Sequence, residues 1–275
     1  RGGRRGARRG GVGVRGGHGW AAWPRVRRAK EPPPARRRKG AHGRGAPRVR
    51  GLDGFPAMTS RPALPLVHVV RPPRVPSARP PLLVPLHGIG ADERDLLPLA
   101  AHLDPRLLTV SLRAPNEAEP MGFAWYAIDW RTAPPRHDVA QAAASLETLL
   151  AFLADAPAAL GTDPARTFLF GFSQGAAMSL AAALARPERV RGAVLHSGRP
   201  LPGQPAPSGE LAGLEVLVLH GLADPVLPPE QGRAIRDLLA PALGPRLVHR
   251  ELDCAHEVTA ETLAEAARWL SARLG

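Results

Sequence analysis

From residue 64 onward, short apolar runs alternate with longer stretches of helical periodicity. Several runs are continuously apolar, as strands buried on both faces of a sheet should be. The pattern predicts strands at Leu66–Val70, Leu82–His87, Leu107–Leu112, Thr167–Gly171, Val190–His196, Val216–His220 and Arg246–Glu251. It predicts helices at Asp92–His102, Asp138–Ala156, Gln174–Ala185, Pro229–Leu239 and Val258–Leu274. This alternation indicates an α/β fold with a mostly parallel central sheet of about seven strands and helices on both faces.

Charge separates the first 57 residues from the rest of the chain. The 275 residues include 37 Lys+Arg and 24 Asp+Glu. Residues 1–57 hold 17 of the basic residues and two of the acidic ones, a net charge of +15, which leaves −2 on residues 58–275. The basicity therefore belongs to an Arg/Gly/Pro-rich segment that cannot bury a core. We expect a disordered tail at 1–57 and one α/β domain at 58–275.

The tail has two interpretations. An arginine/glycine arm could bind RNA or another polyanion through phosphate contacts. Alternatively, Met58 is the first methionine, and the Lys-free, Ala/Arg/Pro/Gly-rich domain suggests a GC-rich genome, where translation upstream of a true start at Met58 would give such a tail. We favour the second interpretation, so a nucleic-acid partner is expected only if the tail is native. Gly11-Val-Gly-Val-Arg-Gly16 spells a dinucleotide fingerprint but lacks a preceding strand, so it predicts no cofactor.

Other classes are excluded by what the composition lacks. A single cysteine, Cys254, cannot form an internal disulfide or a cysteine-rich zinc site. The histidines lack the spacing of metal ligands, so we expect no metal. No stretch approaches 18 consecutive apolar residues, which predicts no membrane span. Paired arginines without a following apolar segment do not support export, and we expect a cytoplasmic protein.

The strongest chemical signal is Gly171-Phe-Ser-Gln-Gly175, between a predicted strand and a predicted helix. That context is what a G-x-S-x-G turn requires: the tight turn strains the backbone of Ser173 and projects its hydroxyl above the sheet. Ser173 is the predicted nucleophile. It needs a base, and the chain order for this fold is serine, acid, histidine.

Two later loops supply the acid and the base. Asp224 follows the strand Val216–His220, and His256 follows the strand Arg246–Glu251, so both lie at carboxyl ends of strands, where α/β sheets place ligand-contacting residues. We predict that His256 takes the Ser173 proton and that Asp224 orients the imidazole. Asp253 is a minor rival for the carboxylate.

The oxyanion needs two preorganised N–H donors. The backbone amide of Gln174, next to the nucleophile, is one predicted donor. Ile89, in Leu86-His-Gly-Ile-Gly90 after an early strand, is the other, because glycines on each side allow close approach of the backbone. His87 and His220 each precede a glycine at a strand end, and we interpret both as structural.

Together these residues resemble the acyl-protein thioesterase/carboxylesterase branch of the α/β-hydrolase superfamily, also described as phospholipase/carboxylesterase. The matching motifs are Leu86-His-Gly-Ile-Gly90, Gly171-Phe-Ser-Gln-Gly175, Leu195-His-Ser-Gly198, His220-Gly-Leu-Ala-Asp-Pro-Val226 and His256-Glu257. The resemblance implies a triad of Ser173, Asp224 and His256, oxyanion donors at Ile89 and Gln174, and ester or thioester hydrolysis without metal or cofactor. Ala255 and Ala176 stand where the family often has glycine.

The resemblance also suggests a pocket and a substrate class. Ala124-Trp-Tyr-Ala-Ile-Asp-Trp130 looks like the family's aromatic loop, so Trp125 and Tyr126 are candidate pocket residues. Too few residues separate the strands ending at His196 and beginning at Val216 for a large lid domain, which favours short or medium acyl chains. A serine peptidase or amidase, and a catalytically silent binding protein, remain alternatives, and a homodimer is possible.

Overall fold

The computed structural model describes residues 64–202, 204, 211 and 213–275, and the backbone of residues 26–27. The predicted tail at 1–57 therefore lies outside the described residues, apart from a two-residue strand, Val26–Arg27, that pairs antiparallel with Asn116–Ala118. The division into tail and domain stays a prediction.

A seven-stranded sheet forms the centre of the described part. Its strands are β1 His68–Arg71, β2 Leu82–Leu86, β3 Leu108–Leu112, β4 Thr167–Phe172, β5 Gly192–His196, β6 Glu215–Gly221 and β7 Leu247–Leu252. The spatial order is β7-β6-β5-β4-β2-β3-β1, with β1 antiparallel to β3 and every other pair parallel. The predicted mostly parallel sheet is confirmed.

The continuously apolar strands contribute side chains to two hydrophobic cores, one on each face of the sheet. Val84 and Val218 pack into the first core, and their neighbours Leu83 and Leu217 pack into the second. Successive side chains of a strand point to opposite faces, so a strand covered on both sides must be apolar at every position.

In the described part of the chain, four of the five predicted helices are present as α-helices, and they cover the two faces of the sheet. The first core takes its helical side chains from α1, α2 and α3, and the second core takes them from α4. The helices are α1 Val139–Leu160, α2 Gln174–Ala185, α3 Glu230–Leu243 and α4 Ala260–Ser271. Asp138 caps α1 by accepting from the Gln141 N–H, and Thr259 caps α4 through a reciprocal pair with Thr262.

Helix α1 is long and apolar enough to cross a membrane by length and mean hydropathy alone, 1.4 over its most apolar window. In this fold it is a core helix, because Leu149, Phe152 and Ala156 are fully buried against the sheet and α2.

The predicted helix Asp92–His102 is wrong. The segment forms turns and a single 3₁₀ helix, Leu97–Ala101, with Pro98 in its first turn. Pro98 has no N–H to donate to a preceding turn of α-helix. Glu93 is turned inward to a bidentate ion pair with Arg113 at 2.6 and 2.8 Å, which fixes the chain in a non-helical course.

Short elements that the pattern did not predict cross the carboxyl edge of the sheet. They are the strands Asn116–Ala118, Phe123–Ala124, Ile128–Asp129 and Arg136–His137, with 3₁₀ helices Pro187–Arg189 and Gly244–Arg246 elsewhere. The four short strands hold the aromatic segment 124–130 over the end of β4, where the candidate site lies.

Candidate active site

Ser173 occupies a sharp turn between β4 and α2. Its backbone has φ 53° and ψ −116°, in the left-handed half of φ where non-glycine residues are strained. The Ser173 N–H donates to the carbonyl of His196 at 2.9 Å, which ties the turn to the neighbouring strand β5. The residue is 9% exposed, so its hydroxyl reaches the surface of an otherwise buried segment.

The glycines of this turn are required by close backbone contacts. A Cβ at Gly171 would lie 2.4 Å from the carbonyl oxygen of Gly175. A Cβ at Gly175 would lie 2.0 Å from the carbonyl oxygen of Leu86, on strand β2. Any larger residue at either position would push the helix away from the sheet, so the motif spacing follows from packing.

Three side chains from distant parts of the sequence meet at this turn. Ser173 Oγ lies 3.0 Å from His256 Nε2, and His256 Nδ1 lies 2.7 Å from Asp224 Oδ2. A carboxylate only accepts, so Nδ1 carries the proton and donates to Asp224, which leaves Nε2 free to accept from the Ser173 hydroxyl. The loops after β4, β6 and β7 thus supply one hydrogen-bonded chain.

Asp224 is held as a buried carboxylate. Its side chain is fully buried, and Oδ1 accepts from the backbone N–H groups of Val226 and Leu227 at 2.9 and 2.8 Å. Burial by itself would raise the pKa of Asp224, but the hydrogen bonds from His256 and from these two amides outweigh it and lower the pKa below its usual value. Asp224 therefore stays ionised at neutral pH.

The acid loop and the histidine loop are packed directly on each other. A Cβ at Gly221 would lie 2.4 Å from the carbonyl oxygen of Cys254, and the Ala223 N–H donates to that same oxygen at 3.1 Å. This contact brings Asp224 to His256. The rival carboxylate, Asp253, is exposed to solvent, and the carboxylate bonded to His256 is that of Asp224.

The two histidines interpreted as structural bind backbone groups. His87 Nε2 accepts from the Ala114 N–H at 3.0 Å and its Nδ1 donates to the Gly88 carbonyl at 2.6 Å. Burial lowers the His87 pKa, which keeps this ring neutral. His220 Nε2 lies 2.8 Å from the Leu227 carbonyl and supports the acid loop from below.

A second histidine–serine pair lies close by but is sealed from solvent. His196 Nδ1 is 3.1 Å from Ser197 Oγ, and both residues are fully buried. Burial, reinforced by the neighbouring imidazoles, lowers the pKa of His196 to about 3. Such a ring is a poor base at neutral pH.

The loop that carries Ile89 runs beside the nucleophile. A Cβ at Gly88 would contact the Cβ of Ser173 at 3.4 Å, so the loop backbone passes next to the serine. The Gly90 N–H donates to the Phe123 carbonyl at 2.8 Å, which anchors the loop from its other side. Gln174, the first residue of α2, directly follows Ser173, and Ile89 and Gln174 line one cleft with Ser173.

The side chain of Gln174 has a structural task that sequence reasoning missed. Its Oε1 accepts from the Trp125 N–H and its Nε2 donates to the Tyr126 carbonyl, both at 2.7 Å. These bonds fix the aromatic segment over the site. Tyr126 lines the cleft. Trp125 does not: it is fully buried and its indole N–H donates to the His87 carbonyl at 3.0 Å, so its assignment to the pocket is corrected to packing.

The cleft in front of Ser173 has a volume of about 220 Å³. Sequence reasoning named four of its lining residues and missed the others, because a motif or a helical period does not show which of its side chains face a cleft. The missed residues are Ile128, Trp130, Pro135, His137, Arg199, Val226, Leu227, Pro228 and Gln231. Within the described ranges, no three His, Cys, Asp or Glu side chains group to hold a metal ion.

Comparison with known proteins assigns the chain to a family. The sequence model of the phospholipase/carboxylesterase family matches residues 68–274. The chain belongs to the phospholipase/carboxylesterase family. The resemblance read from the motifs is thereby confirmed, and the sheet described above is the α/β-hydrolase sheet of that family.

Individual proteins that are similar to this chain share modest sequence identity with it. A probable carboxylesterase of Oryza sativa subsp. japonica is 35% identical over 148 residues, which span 47% of this chain and 61% of the rice protein. A carboxylesterase from Mesorhizobium loti has TM-score 0.67 and 26% identity, over 78% of this chain and 98% of that one. Zea mays acyl-protein thioesterase 2 has TM-score 0.59 and 23% identity, over 76% and 99% of the two chains, and shares the fold.

Proposed function

We propose that this chain is a serine hydrolase that cleaves carboxylic esters or thioesters through Ser173, His256 and Asp224. Membership of the phospholipase/carboxylesterase family supports ester hydrolysis as the reaction. The observation that carries the proposal is the continuous hydrogen-bonded chain from the Ser173 hydroxyl through His256 to the buried Asp224 carboxylate.

The first half-reaction follows from the positions of these groups. Ser173 Oγ attacks the substrate carbonyl carbon while its proton passes to His256 Nε2. The imidazolium that forms is stabilised by the Asp224 carboxylate 2.7 Å from Nδ1. His256 then gives the proton to the departing alcohol or thiol, and the acyl group remains on Ser173.

Charge on the substrate oxygen needs donors that are in place before the reaction. We assign the backbone N–H groups of Ile89 and Gln174 to this role. Gln174 begins helix α2, whose N-terminal amides and dipole favour negative charge. The loop that carries Ile89 is hydrogen-bonded on both sides of this residue, through the Gly88 carbonyl to His87 and through the Gly90 N–H to Phe123. The Ile89 amide is therefore held in place before substrate binds.

The second half-reaction repeats the first with water. A water molecule attacks the acyl group on Ser173, His256 accepts its proton, and the acid leaves as Oγ regains a proton from Nε2. Each step balances without a cofactor. The cleft of about 220 Å³ is smaller than the roughly 300–1,000 Å³ of ordinary ligand pockets, which supports short or medium acyl chains.

The test is hydrolysis of 4-nitrophenyl acetate and butyrate by the wild type, Ser173→Ala and Ser197→Ala. We expect Ser173→Ala to lose several orders of magnitude in kcat. Ser197→Ala is the matched control, because it also removes a serine hydroxyl, but from the buried His196–Ser197 pair next to the site. Unchanged turnover in Ser173→Ala would refute the proposal, activity on anilides rather than esters would favour an amidase or peptidase, and inactivity of the wild type would favour a silent binding protein.

A further inference from the structure

The cleft contains one feature that the proposed hydrolysis does not use. Among the described residues that line it, Arg199 is the one permanently charged side chain. Most of the others are apolar or aromatic, including Tyr126, Ile128 and Leu227. Ester cleavage by Ser173 has no need of a cation at this position, since the charge that develops is assigned to backbone donors.

The guanidinium of Arg199 has no carboxylate within 4 Å among the residues that the structure describes, whereas ten of the other eighteen described arginines form an ion pair and eight do not. Its NH1 lies 3.2 Å from His137 Nε2, and its Nε makes a long contact of 3.4 Å with the Pro200 carbonyl. Two hydrogen-bond partners leave most of the five donors of a guanidinium unused. The charge is held in place and is not neutralised.

His137 positions Arg199 without adding or removing charge. Because NH1 donates to it, Nε2 of His137 must be the unprotonated nitrogen. Burial, together with the charge of Arg199, lowers the pKa of His137 to about 4, so the ring is neutral at pH 7. The ring also packs on Tyr126, with centroids 5.5 Å apart. The histidine therefore acts as a fixed acceptor for the guanidinium, and both residues line the cleft.

We propose that Arg199 recognises a carboxylate on the substrate, so that the preferred esters carry a free acid group a short distance from the scissile carbonyl. This inference rests on the proposed function, because it assumes that Ser173 is the reacting group in the same cleft. A carboxylate is the ligand that a guanidinium fork binds best, through two parallel charge-assisted hydrogen bonds. The apolar walls strengthen that pairing by excluding water.

The acid group has two sources, the acyl part or the alcohol part of the ester, and the assay separates them. For the acyl part, monoethyl glutarate is compared with ethyl pentanoate, which replaces the carboxylate by a methyl group. For the alcohol part, 4-carboxyphenyl butyrate is compared with 4-methylphenyl butyrate. We expect kcat/KM to favour the anionic ester about 10- to 100-fold in one of the two pairs, mainly through KM, and this preference to shrink as salt is added.

Substitution of Arg199 tests the source of that preference. Arg199→Met should bring the ratio of anionic to neutral kcat/KM close to one, and Arg199→Lys, which keeps the charge but not the fork, should retain an intermediate ratio. Arg250→Met is the matched control: it removes an exposed arginine on edge strand β7 and changes the net charge equally. Its ratio should equal that of the wild type.

Binding provides a readout that does not depend on turnover. Calorimetry with the Ser173→Ala protein should detect monomethyl glutarate and not dimethyl glutarate, and the double variant Ser173→Ala/Arg199→Met should lose the monoester. If the wild type hydrolyses neutral esters through Ser173 but shows a ratio near one in both pairs, the proposed function stands and this inference fails. Retention of the preference in Arg199→Met, or equal binding of the two glutarates, would also overturn it.

Discussion

Gln174 Oε1 accepts the backbone N–H of Trp125 at 2.7 Å, so the residue that follows the nucleophile also holds the aromatic segment over the site. Its Nε2 donates to the Tyr126 carbonyl at the same distance. One side chain therefore satisfies two buried backbone groups, and Gln174 also lines the cleft. Site geometry and loop stability are coupled at this position.

Gln174→Met tests that coupling. The apolar side chain leaves the Trp125 N–H and the Tyr126 carbonyl unpaired, and we expect the free energy of unfolding to fall by about 2–4 kcal/mol. Chemical denaturation measures the change. Gln231→Met, on the partly exposed start of α3, is the control and should differ from the wild type by less than about 0.5 kcal/mol. Equal stability of the two variants would contradict the structural role of Gln174.

Gly175→Ala tests the packing of the nucleophile turn. The added methyl group would lie 2.0 Å from the Leu86 carbonyl oxygen, and neither backbone can yield without moving helix α2 or strand β2. We expect a loss of more than about 3 kcal/mol of stability, or no folded protein. Gly88→Ala is matched to it, because its methyl group would make ordinary contacts at 3.4 Å. If calorimetry gave the two variants the same melting temperature, the close approach of Gly175 to the Leu86 carbonyl would not limit the stability of the fold.

Asp224→Asn separates orientation of the base from folding. The asparagine carbonyl can still accept from the Val226 and Leu227 amides, so the loop should stay folded. An amide N–H facing Nδ1 of His256 favours the wrong tautomer, and we expect kcat to fall about 10³- to 10⁴-fold. Steady-state hydrolysis of 4-nitrophenyl butyrate gives the value. A loss of less than tenfold would show that His256 works without its acid.

The ion pair between Glu93 and Arg113 should make the stability of the fold sensitive to acid. The hydrogen bonds and ion pair with Arg113 lower the pKa of Glu93 from 4.5 to about 2. Since the folded-state pKa is depressed, the contribution to stability is complete above about pH 4.5 and is lost as the pH falls toward 2. Glu93→Gln should cost about 2 kcal/mol at pH 7, a value reduced for the partial exposure of Arg113. Urea denaturation at pH 7 and pH 3 should show the gap to the wild type narrowing in acid, whereas a constant gap would contradict the assignment.

The strands could be predicted because burial on both faces leaves a continuous apolar run. Leu82–His87 and Val216–His220 were each placed within one residue of the observed ends at both termini. Helix α2 was predicted at its observed bounds, since the glycine-rich turn marks its start. The helix predicted at Asp92–His102 is wrong although its apolar spacing is helical. Pro98 and the long-range ion pair of Glu93 with Arg113 prevent an α-helix there.

Sequence order and turn chemistry singled out Ser173, Asp224 and His256, which the structure brings within hydrogen-bond distance. The walls of the cleft could not be predicted in this way. Trp125 and Tyr126 are neighbours in an aromatic loop, yet the bonds to Gln174 turn one side chain into the core and leave the other at the cleft. Arg199 had no motif of its own beyond its position after Leu195-His-Ser-Gly198.

The most direct measurement is intact-protein and peptide mass spectrometry after treatment with a fluorophosphonate. The reagent reacts with a serine only when a neighbouring base activates it and the oxyanion is stabilised. We expect a single adduct on the peptide containing Ser173, which is absent in Ser173→Ala and forms much more slowly in His256→Ala, with no label on Ser197. An unmodified Ser173, or an adduct on another serine that survives Ser173→Ala, would contradict it.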